Sequence, residues 1–223
     1  MQPAPRPHDE EERIAALRSF EVLDTDPEVA FDDLTRIAAL VCGAPIALVS
    51  LVDSDRQWFK SRHGLDATET PRELAFCAHA IQQERAMVVS DSHQDIRFAD
   101  NPLVTGAPHV RFYAGAPLQV GTGSAIGTLC VIDHLPRDLA PEQLEILEAL
   151  ASQVVHQLEL RRTSRRLAAA TRRALALERM MMTYTPRTVW QQLGLADPRA
   201  AHGGGASVSN RPSCSPTSAG SRG

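Results

Sequence analysis

An α+β domain of about 150 residues is what the sequence predicts: two N-terminal helices, a sheet of five or six strands, and a long exit helix. Three observations carry this. Apolar residues recur at three- and four-residue spacing at both ends of the region from residue 10 to residue 160. Short β-branched runs bounded by turn residues fill its middle. The last 23 residues hold 13 Gly, Ser or Pro and no Leu, Ile or aromatic residue, so the folded part ends well before them.

Each element has its own signal. Asp9 to Leu23 places Ile14, Leu17 and Val22 near helical spacing and stops at the turn residues 24–27. A second helix follows, with Phe31, Leu34, Ile37, Ala38 and Val41 on one face, started by Pro27 and ended by Gly43. Pro45 to Val52 and Arg56 to Arg62, joined by Asp53, Ser54 and Asp55, read as a β-hairpin. Pro71 is expected to open a helix through Phe76, Cys77, Ala80 and Ile81, followed by a strand from Ala86 to Ser90. The polar stretch from Asp91 to Pro108 is a long loop carrying a packed helical turn around Ile96, Phe98, Leu103 and Val104. Two further strands, Arg111 to Val120 and Ala125 to Ile132, flank a hairpin turn at residues 121–124. Pro141 then opens the exit helix, with Leu144, Leu147, Val154 and Leu158 in near-heptad spacing, and the pattern runs on through Leu167 and Ala170 to Met181. Arginine pairs at 161–162 and 165–166 shift its register.

Composition narrows the function. Of 223 residues, 43% are hydrophobic and 22% charged, and no apolar run approaches the ~18 residues of a membrane-spanning helix. Met1 to Glu12 is proline-rich and then acidic, without the basic and apolar regions of a secretory signal, so a cytoplasmic address is expected. Cys42, Cys77, Cys130 and Cys214 form no C-x-x-C pair, which predicts reduced thiols. The net charge of −4 conceals a split, because residues 1–160 sum to −13 and residues 161–223 to +9. The acidic body argues against a nucleic-acid partner, which needs clustered cations. The expected organisation is a disordered segment 1–9, a sensor domain 10–162, a signalling-helix or linker extension 163–200, and a disordered tail 201–223.

Seven blocks in order give residues 10–162 a resemblance to the GAF domains at the head of bacterial signalling proteins. They are Leu23 to Glu28 (LDTDPE), Pro45 to Asp53 (PIALVSLVD), Arg56 to Ser61 (RQWFKS), Phe76 to His79 (FCAH), Arg97 to Pro102 (RFADNP), Arg111 to Leu118 (RFYAGAPL) and Ile126 to Asp133 (IGTLCVID). The resemblance implies a central antiparallel sheet, covered on one face by the terminal helices and forming a small-molecule or regulatory pocket on the other. It also implies an exit helix that passes the signal onward within a dimer.

Three specialised members of that family differ from this chain at their chemical residues. Bilin-binding members carry a Cys-His pair where this chain has Val110 to Tyr113. Members that reduce free methionine sulfoxide place cysteines in a stretch that here, from Ala78 to Leu129, has none. Cyclic-nucleotide-binding members carry an Asn-Lys signature, whereas Asn101 is followed by Pro102. Tyr184 to Trp190 (YTPRTVW) faintly resembles the linker before class III nucleotide cyclase domains, but the Gly/Ser-rich tail offers no place for a cyclase's metal-binding aspartates, so no catalytic output is expected in the chain.

The pocket candidates are Trp58, Phe76, Cys77, His79, Phe98, Asp100, Asn101, Arg111 and Tyr113. Cys77 and His79 suggest a thiolate and imidazole pair, although residues two apart on a helix do not face each other; a buried structural thiol is the plainer reading. Arg97, Phe98, Asp100 and Asn101 fit either a lid over a pocket or a loop pinned by its own Asx turns. Period two sends Arg111 and Tyr113 to one face of their strand and Phe112 to the core. Trp58 suits ligand stacking or packing on the sheet. The scattered histidines share no metal-ligand spacing, and Gly121-Thr122-Gly123 is a hairpin turn, not a dinucleotide loop.

The expected protein is therefore a non-enzymatic sensory module in signal transduction, of the kind found in two-component signalling. It binds an unidentified small molecule or partner, has no predicted cofactor or metal, forms a homodimer through its terminal helices and acts on a downstream signalling protein. The alternatives are a thiol-redox or chromophore protein using Cys77, and the sensor fragment of a histidine kinase or nucleotide cyclase.

Overall fold

The computed structural model describes residues 1–121, 123–194 and 196; the expected disordered tail 201–223 lies outside them. The chain divides into two compact units, residues 1–166 and 167–223.

In the first unit, α1 (Glu10–Ser19) and α2 (Val29–Cys42) precede a six-stranded antiparallel sheet. The strands are β1 (Ile46–Val52), β2 (Arg56–His63), β3 (Glu69–Pro71), β4 (Met87–Val89), β5 (Phe112–Gln119) and β6 (Ala125–Asp133), in the order β3-β2-β1-β6-β5-β4. Short helices α3 (Phe76–Ala80) and α4 (Pro102–Thr105) lie in the connections, and α5 (Pro141–Tyr184) leaves the domain. In the second unit α5 ends and α6 (Arg187–Gln192) follows. No helix among the described residues is long and apolar enough to cross a membrane.

The sheet separates two cores. Toward the helical layer, Ala47, Val49, Leu51, Trp58, Phe112, Ala114, Leu129 and Val131 pack with Leu17 of α1, Phe31 and Ala38 of α2, and Leu147, Ala151, Val154 and Leu158 of α5. Toward the other layer, Leu48, Val52, Phe59, Met87, Val89, Tyr113 and Cys130 pack with Phe76, Cys77 and Ala80 of α3 and with Phe98 and Val104. Both faces of β1 are buried along its whole length, which is why its sequence is a continuous apolar run and not an alternating one. Gly43 ends α2 in the left-handed region, with φ of 60°, a conformation that costs glycine least.

Charged side chains fasten the helices to this sheet. A β-bulge between Val49 and Ser50 leaves Lys60 as the extra residue of β2, so Lys60 and Ser61 both turn toward the helices. Lys60 is 3% exposed and its ammonium donates to Glu28 Oε1 at 2.7 Å, Asp26 O at 2.7 Å and Thr25 Oγ1 at 3.0 Å. Glu28 Oε1 also accepts from Arg161 Nε of α5 at 2.8 Å, and Arg161 Nη1 caps the carbonyls of Phe20 and Glu21. One carboxylate thus joins the sheet, the start of α2 and the exit helix. Ser61 donates to Asp32 of α2 and accepts from Thr35.

A second network holds α1. Arg13 is 1% exposed; it donates to both oxygens of Glu10 at 2.8 and 2.9 Å and to Val52 O at 2.7 Å. Arg72 donates to the same carboxylate and to Asp53 O. Burial would raise the Glu10 pKa, but the hydrogen bonds and charges of Arg13 and Arg72 outweigh it and hold it at about 2.

Three local expectations are corrected. Residues 1–9, expected to be disordered, run over α3 and the 97–100 loop. The Met1 ammonium pairs with Asp100, Gln2 N donates to Arg97 O, and Gln82 Nε2 donates to Pro5 O. The helix expected from Pro71 is instead the end of β3, a 3-10 turn at Arg72–Leu74 and, after an extended Ala75, the short α3. Pro71 pairs in register with Arg56 at the edge of the sheet, where its missing N–H is tolerated. Tyr184 to Trp190, likened to a linker, is instead the last residue of α5, a break at residues 185–186 and the first four residues of α6.

Because the Glu10 pKa is lowered in the folded state, its contribution is full above the unfolded carboxylate value of about 4.5 and is lost as pH falls toward 2. Glu10→Gln should therefore destabilise the protein at neutral pH by roughly 3 kcal/mol, the scale for leaving buried guanidinium groups uncompensated. Urea unfolding of both proteins from pH 7 to pH 2 should show the difference shrinking between about pH 4.5 and 2.

Candidate functional site

On the face of the sheet opposite the terminal helices lies a cavity of about 270 Å³. Leu48 of β1, Gln57 and Phe59 of β2, and Tyr113 and Ile132 of β5 and β6 form its floor. Phe76 and Cys77 of α3 form one wall. Leu65, Ala67 and Thr70 before and within β3, with Leu103, Ala107, Pro108 and Val110, complete the lining. The strand residues reach it by alternation: Gln57 and Phe59 face the cavity while Trp58 between them enters the helical core.

The lining is apolar apart from four groups. Gln57 and Thr70 are cross-strand partners on β2 and β3, and Gln57 Oε1 and Thr70 Oγ1 are buried with no hydrogen-bond partner. Two adjacent buried oxygens without donors make this corner suited to a ligand N–H or O–H. Tyr113 donates its hydroxyl to Cys77 Sγ at 3.3 Å. Burial, followed by the charges of the neighbouring thiols, holds the Tyr113 pKa well above its ordinary value, so the phenol stays a neutral donor. Gly115 follows two residues later on the same face of β5. A Cβ there would lie 2.1 Å from the Tyr113 hydroxyl oxygen, so the absence of a side chain lets the ring lie back along its strand and point at Cys77.

Of the nine predicted pocket residues, Phe76, Cys77 and Tyr113 line the cavity. Phe98 stacks behind Phe76 at 3.9 Å between ring centroids and supports the wall from outside. His79 turns away from Cys77: its Nε2 meets Gln2 O at 3.0 Å and its ring abuts Phe98 edge-on. Burial lowers the His79 pKa, so the ring is no cationic partner for the thiol. Asp100 is exposed and pairs with the N-terminal ammonium. Asn101 caps α4, accepting from Leu103 N at 2.9 Å and donating to Leu74 O at 3.0 Å. Arg111 makes a two-point pair with Asp91, both contacts at 2.9 Å, and with the His93 N–H and Gln94 lowers the Asp91 pKa to about 2. Trp58, His79, Phe98, Asp100, Asn101 and Arg111 thus hold the frame and lie outside the cavity lining.

The sequence reading missed Gln57 and Thr70, the two orphan oxygens. The signal for Gln57 was available: a polar residue flanked by Arg56 and Trp58 on a strand whose alternate positions enter a buried layer. Thr70 gave none, because β3 itself was not recognised. Cys130 was also passed over, although it lies directly beneath Cys77. Among the described residues no cluster of three His, Cys, Asp or Glu side chains is arranged to hold a metal ion.

Comparisons with known proteins agree with this architecture. The GAF domain family model matches residues 26–158. A cyclic di-GMP phosphodiesterase of Pseudomonas aeruginosa is 40% identical over 165 residues, which is 74% of this chain and 28% of that protein. The chain therefore spans little more than a quarter of the length of the curated relative it matches. Among solved structures, the blue-light absorbing form of the PixJ GAF domain of Thermosynechococcus elongatus aligns with a TM-score of 0.52 and 15% identity, covering 70% of this chain and 95% of that one. Free methionine-R-sulfoxide reductase of Neisseria meningitidis, solved with its substrate, aligns with a TM-score of 0.51 and 18% identity over 66% of this chain and 88% of that one. At such identities these likenesses speak for the fold alone. With a two-faced antiparallel sheet in this strand order and a family match over more than half its residues, the chain belongs to the GAF domain family of sensory and signalling modules.

Proposed function

We propose that this chain is a regulatory and non-catalytic module. In this reading its cavity takes a small uncharged molecule, and its exit helix carries the effect to a catalytic output. The observation that carries this reading is the composition of the cavity wall: apolar side chains, no charged residue, and two adjacent buried oxygens without donors. A nucleotide or other phosphate ester would enter without a cation to meet it. The matching ligand has an apolar body of fragment size and one or two hydrogen-bond donors directed at Gln57 and Thr70. To act as a signal it must bind two states of the domain with different affinity.

The same strands floor the cavity and pack α5 on their other face, which supports a mechanical link. The nature of the output is suggested by the relative in Pseudomonas, named a cyclic di-GMP phosphodiesterase. Because the chain corresponds to a minor part of that protein, it is read as the sensory portion of such a system. That choice favours cyclic di-GMP turnover over the histidine kinase and nucleotide cyclase outputs that the sequence left open.

Pairing of two copies along α5 is part of the proposal. The inner stripe of this helix, Leu147, Ala151, Val154 and Leu158, is spent on the domain core. A second set, Ile146, Ala149, Gln153, His156, Leu160 and Thr163, faces solvent in strict heptad spacing. In the following unit the same spacing continues through Leu167, Ala170, Ala174, Leu177, Met181 and Tyr184, all exposed. In a parallel coiled coil these are a and d positions, and Arg173 of one copy falls opposite Glu178 of the other.

Two measurements test these readings. In a thermal-shift screen of fragments, uncharged donors with an apolar body should raise the Tm by about 3–5 °C at tenfold excess over Kd. Leu65→Trp, which fills the cavity, should abolish that shift while the domain still melts cooperatively. Preferential binding of anionic fragments, or binding unaffected by Leu65→Trp, would overturn the ligand reading. For the second, light scattering should give twice the chain mass for the wild type and a single chain mass for Leu167→Glu, since a charge at a coiled-coil a position is left buried against its copy.

A further inference from the structure

Beneath the cavity wall, two thiols meet across the domain. Cys77 of α3 and Cys130 of β6 are 2% and 0% exposed, and their sulfurs lie 3.8 Å apart. Cys77 is also part of the cavity lining, whereas Cys130 is not. Around them stand three hydroxyls. Tyr113 donates to Cys77 Sγ. Ser50 Oγ and Thr128 Oγ1, on the same face of β1 and β6, are buried, make no hydrogen bond of good geometry, and stand close enough to Cys77 to favour its thiolate. A neutral thiol is a weak acceptor, and a thiolate is a strong one. The cluster therefore offers donors that a thiolate accepts more strongly than a neutral thiol does.

We propose that Cys77 and Cys130 are a peroxide-reactive thiol pair that closes to a disulfide, with Cys77 the attacking sulfur and Cys130 the resolving one. The co-reactant is a small hydroperoxide entering by the cavity. The Cys77 thiolate attacks the distal oxygen and breaks the O–O bond. Cys77 becomes a sulfenic acid, and the leaving alkoxide takes the proton that Cys77 released. The Cys130 sulfur then attacks Cys77, expelling the sulfenic hydroxyl, which leaves as water with the Cys130 proton. Two thiols are oxidised to one disulfide, and the hydroperoxide is reduced to an alcohol and water.

The asymmetry of the pair supports these roles. Burial opposes ionisation of Cys77, but Cys130 and the hydroxyls of Thr128, Tyr113 and Ser50 outweigh it and favour the thiolate. Cys130 is pushed the other way, first by Cys77 and then by burial. Cys42, the third buried thiol, lies in the helical core, where burial raises its pKa, and no second cysteine among the described residues shares that core. Closing the gap to a bond of about 2 Å draws α3 toward β6. Phe76 on α3 then moves with it, so oxidation reshapes the cavity. The proposal stands independently of the ligand reading.

The test uses the full chain, titrated with hydrogen peroxide, then denatured, alkylated and mapped by peptide mass spectrometry. The expected result is a linked Cys77–Cys130 peptide at about one equivalent, reversed by dithiothreitol, with Cys42 still alkylated. In Cys130→Ser, Cys77 should stop as a sulfenic acid that dimedone captures. The proposal is overturned if Cys77 and Cys130 remain free thiols at ten equivalents, or if Cys77 is oxidised with no linked peptide at any dose. Should Cys130→Ser fail to fold, the wild-type map decides alone.

Discussion

The structure depends on a sheet whose central strands are buried from both sides. Once helices cover one face and the α3–α4 layer covers the other, no position on β1 and none on β6 but the half-buried Ile132 meets water, and each side chain must belong to one core or the other. Leu48 and Ser50 are committed to the cavity side because Ala47, Val49 and Leu51 are committed to the helices. The functional side of the domain is thus the complement of its structural side, set by the same alternation. A one-residue slip in β1 would exchange them.

Polar chemistry refines what the alternation begins. The bulge in β2 breaks strict period two and releases Lys60 to the helical layer, where Glu28 receives both it and Arg161. A buried ammonium is tolerable only with such partners, and their location ties the first turn of the exit helix's free portion to the sheet. On the cavity side the pattern is the opposite. There the oxygens of Gln57, Thr70, Ser50 and Thr128 are left without partners. With Lys60, Arg13 and Arg161 paired on the helical side and four oxygens unpaired on the other, most of the unmet hydrogen-bonding capacity of the sheet lies where a ligand or a thiolate can use it.

Most of the fold was legible in the sequence, because its signals are local. Apolar spacing marked α1, α2 and α5, and turn residues bounded the β1–β2 and β5–β6 hairpins. What failed was non-local. β3 exists only because Glu69 to Pro71 pair with the edge of β2, and nothing within three residues announces a partner thirteen positions away. The N-terminal nine residues look disordered by composition but find anchors at Arg97 and Asp100. The site was less legible still. Charged and aromatic residues drew notice as ligand groups, yet Arg111 and Asp100 are held by ion pairs, Asn101 caps a helix and Trp58 fills a core. Beside Phe76, Cys77 and Tyr113, which the sequence did point to, the cavity is lined mainly by aliphatic residues and by one glutamine and one threonine, types whose role is decided by which face they meet. Cys130 was invisible as a partner because 53 residues separate it from Cys77.

The contact between Gly115 and Tyr113 has an implication for how such a site can diversify. A Cβ at residue 115 has no space while the phenol lies over it, so the two positions are not free to vary separately. While the phenol keeps this place, residue 115 must stay glycine. A variant that trades the ring for a smaller side chain loses the donor to the sulfur but frees residue 115 to project into the cavity. In this chain a side chain at residue 115 becomes acceptable only once the ring at residue 113 has moved or been replaced, so the order of acceptable substitutions is set by the packing of a single strand.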